Sequence, residues 1–165
     1  MIIPIGTLDI LTDRLFLRRF EEDDAPHIYN NWASDPEVTR YLTWKPHRDI
    51  DETKEFVRLC RLQYDSGYYF HWAVCLDGIP IGSFSLISVD ITENTGEIGY
   101  CFGKEYWGKG YAPETAGFCR EYFLKRAAFD NLTAKATNPR SKRVLEKVGF
   151  KRVSEEGELT RFTLR

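Results

Sequence analysis

A short run between a predicted strand and a predicted helix has the composition of a phosphate-binding turn. Residues Tyr106 to Glu114 read Y-W-G-K-G-Y-A-P-E, with Gly108 and Gly110 two positions apart and a proline suited to the first turn of a helix. Glycine lets the backbone approach a ligand without an intervening Cβ. A helix N-terminus adds unpaired N–H groups and a partial positive charge. The run therefore predicts a cradle for a diphosphate, and we call residues Trp107–Ala112 the cradle loop.

Other glycine-rich phosphate motifs fit this run poorly. A P-loop needs Gly-Lys-Ser/Thr, but Lys109 is followed by Gly110 and Tyr111. A dinucleotide-binding fingerprint that starts at Gly108 needs a glycine where Pro113 stands. The alternative that stays open is a tight strand-to-helix turn without a ligand, because short Gly-x-Gly turns are common.

The predicted strand before the cradle loop carries a candidate for acid–base chemistry. Side chains alternate along a strand, so Glu97, Gly99 and Cys101 share one face. Since glycine has no side chain, we expect open space beside the Glu97 carboxylate. A carboxylate in such a place is suited to act as a general base, directly or through water. The alternative is a solvated glutamate at a sheet edge.

Five segments, taken in order, resemble one family. The cradle loop W-G-K-G-Y-A is similar to the acyl-CoA loop, Q/R-x-x-G-x-G/A, of the GNAT superfamily of N-acetyltransferases. Trp107 stands where that pattern has Gln or Arg, which is typical of the Rim-type branch that acetylates protein N-termini. The other segments are T-D-R-L-F-L-R (Thr12–Arg18), S-D-P-E-V-T-R-Y-L (Ser34–Leu42), G-E-I-G-Y (Gly96–Tyr100) and N-P-R-S-K-R-V-L-E-K-V-G-F (Asn138–Phe150).

The resemblance implies a fold and an activity. The fold is mixed α/β, with a mostly antiparallel, splayed, seven-stranded sheet flanked by helices, in a single domain over residues 1–165. The activity is transfer of an acetyl group from acetyl-CoA to a primary amine, by direct attack in a ternary complex and without a metal. The implied acceptor is the N-terminal α-amine of a protein, with ribosomal proteins as candidate partners. A small amine (a polyamine or an aminoglycoside) and an acyl-CoA-binding module without catalytic activity are the alternatives.

The resemblance also assigns residues to acetyl-CoA. Asn138 is expected to cap the final helix, to bind the pantetheine amides, or to do both. Lys142 and Arg143 are either phosphate neighbours or solvated cations. The expected cofactor-binding residues are Tyr100, Cys101, Phe102, Trp107, Gly108, Lys109, Gly110, Tyr111, Ala112, Asn138, Ser141, Lys142 and Arg143.

Two residues are expected to be catalytic. Glu97 occupies the family's central-strand carboxylate position, so the resemblance favours it as the base. Many members protonate the leaving thiolate with a tyrosine of the final helix, but Leu145 stands at that position. Ser141 either donates a hydrogen bond to the sulfur or only completes the first turn of the helix. A CoA thiolate, with a pKa of ~8.5, also leaves without help.

The protonation state of the acceptor favours an α-amine. An α-amine has a pKa of ~7.7–8.0 and a lysine amine ~10.4, so removing the proton at pH 7 costs ~1–1.4 and ~4.6 kcal/mol respectively. A single carboxylate is better matched to the smaller cost. Trp32, Tyr41 and Trp44 are candidates for the walls of the acceptor pocket, with core packing as the alternative.

Composition excludes several classes of protein. A net charge of −2 provides no basic surface for nucleic acid. No apolar run approaches the ~18 residues of a membrane span. The four cysteines are far apart and show no metal-binding spacing, which favours free thiols in a reducing cytoplasm. The sequence leaves a homodimer open.

The elements that position these residues follow from periodicity and turn residues. Asp35-Pro36 and Asn138-Pro139 each have the form of a helix cap followed by a proline. Asp77-Gly78 is typical of a hairpin turn. The predicted strands are 15–20, 69–76, 81–91, 97–102, 132–136, 150–154 and 159–164, and the predicted helices are 27–33, 35–42, 51–64, 113–126 and 139–148.

Overall fold

The computed structural model describes residues 1–165 and contains one eight-stranded sheet. Its strands are β1 (Ile10–Leu11), β2 (Phe16–Arg18), β3 (His71–Leu76), β4 (Ile79–Asp90), β5 (Thr95–Phe102), β6 (Asn131–Ala136), β7 (Lys151–Glu156) and β8 (Leu159–Leu164). They lie in the order β1-β2-β3-β4-β5-β6-β8-β7, and only the β5–β6 pair is parallel. The predicted fold class is confirmed, but the predicted count of seven strands was wrong. Strand β1 has 2 residues, too few for an alternating pattern to reveal.

Five α-helices flank the sheet, and two of them begin at the caps that the sequence predicts. The Asp35 carboxylate accepts from the Glu37 N–H at 2.8 Å, and the Asn138 amide oxygen accepts from the Arg140 N–H at 3.0 Å. The helices are α1 (Ala25–Ile28), which continues as a π-helical turn over Tyr29–Ala33, α2 (Pro36–Thr39), α3 (Ile50–Gln63), α4 (Tyr111–Ala116) and α5 (Pro139–Lys147).

The helix predicted over residues 113–126 is interrupted. Helix α4 ends at Ala116, and a π-helical segment covers Arg120–Arg126. The wider π turn lets two sequence neighbours, Tyr122 and Phe123, both lie in the core with 3% and 0% of their surface exposed. A regular helix turns ~100° per residue, which makes such double burial harder.

The sheet carries a hydrophobic core on each face. The larger core lies under α4, the π-helical segment and α5, and the smaller one lies under α1–α3. Strand β5 serves both, because Ile98 and Phe102 face the larger core while Cys101 packs against the smaller one. The two faces of β5 therefore meet different helical layers.

The parallel pair β5–β6 opens into a splay. The two strands pair at Thr95↔Asn131, Gly96↔Leu132 and Glu97↔Thr133, and pairing stops there. Strand β6 continues to pair with β8 as far as Ala136. The edge of β5 from 98 to 102 thus faces a gap in the sheet instead of a neighbouring strand, which confirms the predicted splay.

Candidate active site

The cradle loop presents a row of unpaired donors at one end of the splay. Gly108 and Gly110 have φ of 73° and 83°, the left-handed region that favours glycine. Gly110 stands at the N-cap position of α4. No main-chain N–H from Gly108 to Ala112 has a hydrogen-bond partner in the protein. Such a row of N–H groups at a helix start matches the chemistry of a diphosphate.

Arg14 holds this loop in place, a role that no local sequence pattern predicts. Its Nε donates to Glu114 Oε1 at 3.1 Å and its Nη1 to the Lys109 carbonyl at 2.9 Å. The guanidinium also stacks on the Tyr111 ring, 4.4 Å from its centre. Because a trans peptide is planar, with its N–H opposite its C=O, fixing the Lys109 carbonyl turns the Gly110 N–H away from Arg14. The turn between β1 and β2 therefore helps to aim the donors of the cradle loop.

Trp107 forms a wall beside the splay. Its indole N–H donates to the Phe102 carbonyl at 2.8 Å, and the Arg140 guanidinium lies 5.5 Å from the ring centre. The ring packs against both cores. The nearest group to the Cβ position at Gly110 is Arg14, at 3.3 Å, and no atom of the indole lies within 4 Å of it. Trp107 thus leaves the Gly110 side of the cradle loop open.

Glu97 lies at the last position where β5 and β6 pair. Its side chain is 19% exposed, and its carboxylate binds Lys135 Nζ at 2.8 Å. It projects from the sheet face opposite α4 and α5, as strand alternation predicts. Its placement at the mouth of the splay suits a group that exchanges protons with an acceptor arriving from that face.

The open space expected beside Glu97 is absent, and that prediction was wrong. A Cβ at Gly99 would lie 2.5 Å from the Ile87 Cδ1 atom, so Ile87 already covers the glycine. The cause is an irregularity in β4, where the pairing with β5 shifts register between Leu86 and Ser88. The shift turns Ile87 over Gly99 and makes the site beside Glu97 narrower and more apolar than the sequence predicts.

Tyr100 and Ser141 meet on the α5 side of the splay. The Tyr100 hydroxyl lies 2.9 Å from Ser141 Oγ. Burial raises the pKa of Tyr100 to about 12, although the Ser141 hydrogen bond opposes this shift. Leu145, at the family's usual tyrosine position, is 1% exposed in the core. The tyrosine hydroxyl on this face thus comes from β5, from a residue that the sequence pointed to for cofactor binding and not for catalysis.

The remaining predicted cofactor residues differ in their exposure and in their hydrogen-bond partners. Asn138 caps α5 through its oxygen, and its NH2 group makes no bond within the protein. Lys142, expected as either a phosphate neighbour or a solvated cation, donates from Nζ to the Glu158 carbonyl at 2.6 Å and holds the β7–β8 turn. Arg143 is exposed. Cys101 Sγ lies 3.5 Å from Ser83 Oγ, and burial raises the pKa of its thiol to about 11.

The three aromatic residues proposed for the acceptor pocket divide into two groups. Trp32 is 2% exposed within the smaller core, so its assignment to the pocket was wrong. Tyr41 and Trp44 are 44% and 37% exposed. A bond of 2.6 Å between Lys104 and Glu37 ties the preceding helix α2 to the end of β5. Tyr41 and Trp44 therefore remain candidates for substrate contact.

The structure has neither a helix that could span a membrane nor a cluster of metal-binding side chains. No helix is long and apolar enough to cross a membrane. No group of three or more His, Cys, Asp or Glu side chains is placed to hold a metal ion.

Comparison with known proteins defines the class. Residues 14–151 match the acetyltransferase (GNAT) domain, and the chain belongs to this family. It is 31% identical to YnaD of Bacillus subtilis (strain 168), described as an uncharacterized N-acetyltransferase, over 147 residues that are 88% of this chain and 84% of that protein. The protein is thus an acetyl-CoA-dependent N-acetyltransferase.

Solved structures share the fold. A GNAT-family acetyltransferase from Bacillus anthracis is 25% identical and superposes with a TM-score of 0.79 over 95% of this chain and 98% of that one. RimL, a ribosomal-protein α-N-acetyltransferase solved with coenzyme A, has a TM-score of 0.83 over 95% of this chain and 97% of that one. Its identity is 17%, so this likeness concerns the fold alone.

Proposed function

We propose that this enzyme acetylates the N-terminal α-amine of a protein, of the ribosomal-protein type, in a ternary complex with acetyl-CoA. The observation that carries the proposal is the row of unpaired N–H groups from Gly108 to Ala112, next to a splay that opens at Glu97. The row accounts for a diphosphate at one end of the gap. The carboxylate accounts for proton transfer at the other.

The gap itself provides for the pantetheine arm. From 98 to 102 the edge of β5 has no partner strand, so its main chain is free to pair with an amide-bearing chain. The Phe102 carbonyl is occupied by Trp107, and the main-chain groups of Cys101 face β4, which leaves those of Tyr100 and the Phe102 N–H for this contact. The free NH2 of Asn138 and the exposed Arg143 are further donors toward the cofactor.

Glu97 is assigned the role of base. Lys135 orients its carboxylate at 2.8 Å, at the point where the strands part. Glu97 takes the proton of the protonated acceptor, directly or through water, and the neutral amine then attacks the thioester carbon. The C–N bond forms as the C–S bond breaks, and the second proton of the nitrogen goes to the leaving CoA thiolate. At pH 7 the deprotonation of an α-amine costs ~1–1.4 kcal/mol, against ~4.6 kcal/mol for a lysine amine. This difference supports an N-terminal acceptor.

Ser141 is assigned the role of donor to the leaving sulfur. Its hydroxyl bonds to Tyr100 at 2.9 Å, so each hydroxyl orients the other. With Leu145 in the core, these two hydroxyls take the place of the usual tyrosine.

The four free cysteines fit a reducing compartment such as the cytoplasm, which is where ribosomal acceptors would be met.

An acceptor panel tests the proposal. Thiol release from acetyl-CoA is measured with peptides that have a free N-terminus, with the same peptides blocked at the N-terminus but carrying a lysine, and with a polyamine and an aminoglycoside. We expect release with the free-N-terminus peptides alone, with intact-mass analysis showing one added acetyl group. Thiol release only with the small amines would show that the acceptor is a small amine and not a protein N-terminus. If none of the acceptors supports thiol release, the proposal is overturned.

A further inference from the structure

A polar groove lies on the sheet face opposite α4 and α5, over β6, β8 and β7. Its volume is about 320 Å³. Helices α1–α3 cover this face only over the other strands, because no residue of β6, β7 or β8 belongs to the core beneath them. The residues that line it are Asn131, Thr133, Ala134, Lys135, Val153, Arg161, Phe162, Thr163 and Arg165, and we call it the basic groove.

The charge in the groove contrasts with that of the whole chain. Lys135, Arg161 and Arg165 line it, and no aspartate or glutamate does. The protein as a whole has a net charge of −2. Three cationic side chains are therefore gathered on this concave surface, where they attract anions.

Two of the cations are placed in an unfavourable pairing. Lys135 and Arg161 are direct partners in the β6–β8 ladder and project from the same face. Like charges directly opposite one another destabilise a sheet. Neighbouring carboxylates relieve this only at the edges, with Glu97 at 2.8 Å from Lys135 and Glu156 at 3.8 Å from Arg161. An anion between the two cations would remove the repulsion.

The groove begins where the proposed reaction takes place. Lys135 binds Glu97, which marks the start of the splay. Neighbouring strands lie ~4.8 Å apart, so Arg161 on β8 is two strands, or ~10 Å, from the strand of Glu97. An extended peptide advances ~3.3 Å per residue. A side chain that reaches Arg161 thus belongs to a residue two to four positions from the amine.

We infer that the basic groove binds an anionic side chain of the acceptor, and that the substrate class is a protein N-terminus with a carboxylate at one of positions two to four. This inference rests on the proposed function, since it takes an N-terminal amine at Glu97 as its starting point. The same charges disfavour a polyamine or an aminoglycoside, whose remaining cations would face Lys135 and Arg161.

Three matched peptides test the inference. They have the same free N-terminus and differ at positions two to four, which hold glutamate, glutamine or lysine. At low salt we expect kcat/KM to be about fivefold higher for the glutamate peptide than for the glutamine peptide, and lower again for the lysine peptide. The preference shrinks at 1 M salt, where the screening length falls to ~3 Å.

A charge reversal gives a gain of function that misfolding cannot imitate. Arg161→Glu is expected to favour the lysine peptide over the glutamate peptide, while the exposed control Arg58→Glu on α3 keeps the wild-type order. Equal kcat/KM for all three peptides with the wild-type enzyme would overturn the inference and leave the proposed function standing. Absence of acetylation of every peptide would overturn both.

Discussion

The hydroxyl of Tyr100 lies 2.9 Å from the hydroxyl of Ser141, across the splay between β5 and β6. One residue comes from the central strand and the other from the first turn of α5. Burial raises the pKa of Tyr100 to about 12, so the phenol stays protonated throughout the working range of an acetyltransferase. A protonated phenol can donate to Ser141 while Ser141 donates to the leaving sulfur.

Removing either hydroxyl is expected to slow the chemical step. Tyr100→Phe and Ser141→Ala should each lower kcat by about tenfold to a hundredfold, since general acid–base help contributes about 10²–10⁴ in all. The KM for acetyl-CoA should change little, because neither hydroxyl touches the cradle loop. The double variant should lose no more than the worse single variant if the two hydroxyls act as a unit. Steady-state kinetics measure these losses. If the losses of the two single variants add in the double variant, the two hydroxyls act independently.

Gly110 is expected to be necessary for cofactor binding. Its φ of 83° is strained for any side chain, and a carboxylate there would face the diphosphate. Gly110→Glu should weaken CoA binding by more than about a hundredfold, which calorimetry measures directly. Gly157→Glu is the matched control, since Gly157 has φ of 60° in the β7–β8 turn with nothing within 4 Å of its Cβ position. Equal CoA affinity in both variants would show that the diphosphate does not bind in the cradle loop.

Arg14 is expected to act on acetyl-CoA binding and not on catalysis. Without it the Lys109 carbonyl and the Tyr111 ring lose their common partner, so the loop must be ordered at the expense of binding energy. Arg14→Met should raise the KM for acetyl-CoA about tenfold and leave kcat within about twofold. Arg14→Lys should not restore the KM, because an ammonium lacks the planar fork. A fall in kcat at unchanged KM would contradict this role.

Local sequence signals predicted most elements and the cradle loop. Asp35 and Asn138 cap the helices that they were expected to cap, and Asp77-Gly78 forms its hairpin with φ of 48° and 81°. These features depend on a few consecutive residues. The glycine spacing of the cradle loop is local in the same way, and it led to the family.

The features that the sequence did not predict depend on contacts between distant residues. Arg14 reaches Lys109 across 95 positions in the chain. Ile87 covers Gly99 only because β4 shifts register, and no pattern in β5 records this. Trp32 is an aromatic residue of a kind that often lines pockets, yet the packing of α1–α3 places it in the core.

Glu97 is expected to matter most when the acceptor amine is protonated. Glu97→Gln should lower kcat by about a hundredfold or more at pH 7, with an unchanged KM for acetyl-CoA. The ratio of the wild-type rate to the variant rate should fall toward 1 above pH 8, where an α-amine has lost its proton without help. Glu93→Gln, an exposed change in the turn before β5, serves as the control. A wild-type rate for Glu97→Gln at pH 7 would exclude Glu97 as the base.

His71 is expected to make the fold sensitive to acid. Its ring packs edge-on against Phe20, with centres 5.0 Å apart, and its Nδ1 lies 3.1 Å from the Tyr69 hydroxyl. Burial lowers the pKa of His71 from 6.5 to about 4. Because the folded-state pKa is the lower one, the stability that His71 contributes is present above pH 6.5 and is lost as the pH falls toward 4. The loss amounts to at most about 3 kcal/mol, at 1.36 kcal/mol per unit.

Denaturant unfolding between pH 7 and pH 4 measures this loss. His71→Gln keeps a polar partner for Tyr69 but cannot titrate, so its stability should fall less steeply with acid than that of the wild type. His27→Gln, at an exposed site on α1, should follow the wild-type curve. Parallel curves for wild type and His71→Gln would assign the acid sensitivity to the carboxylates, with the buried Asp24 that binds Arg18 at 2.8 Å as the first to examine.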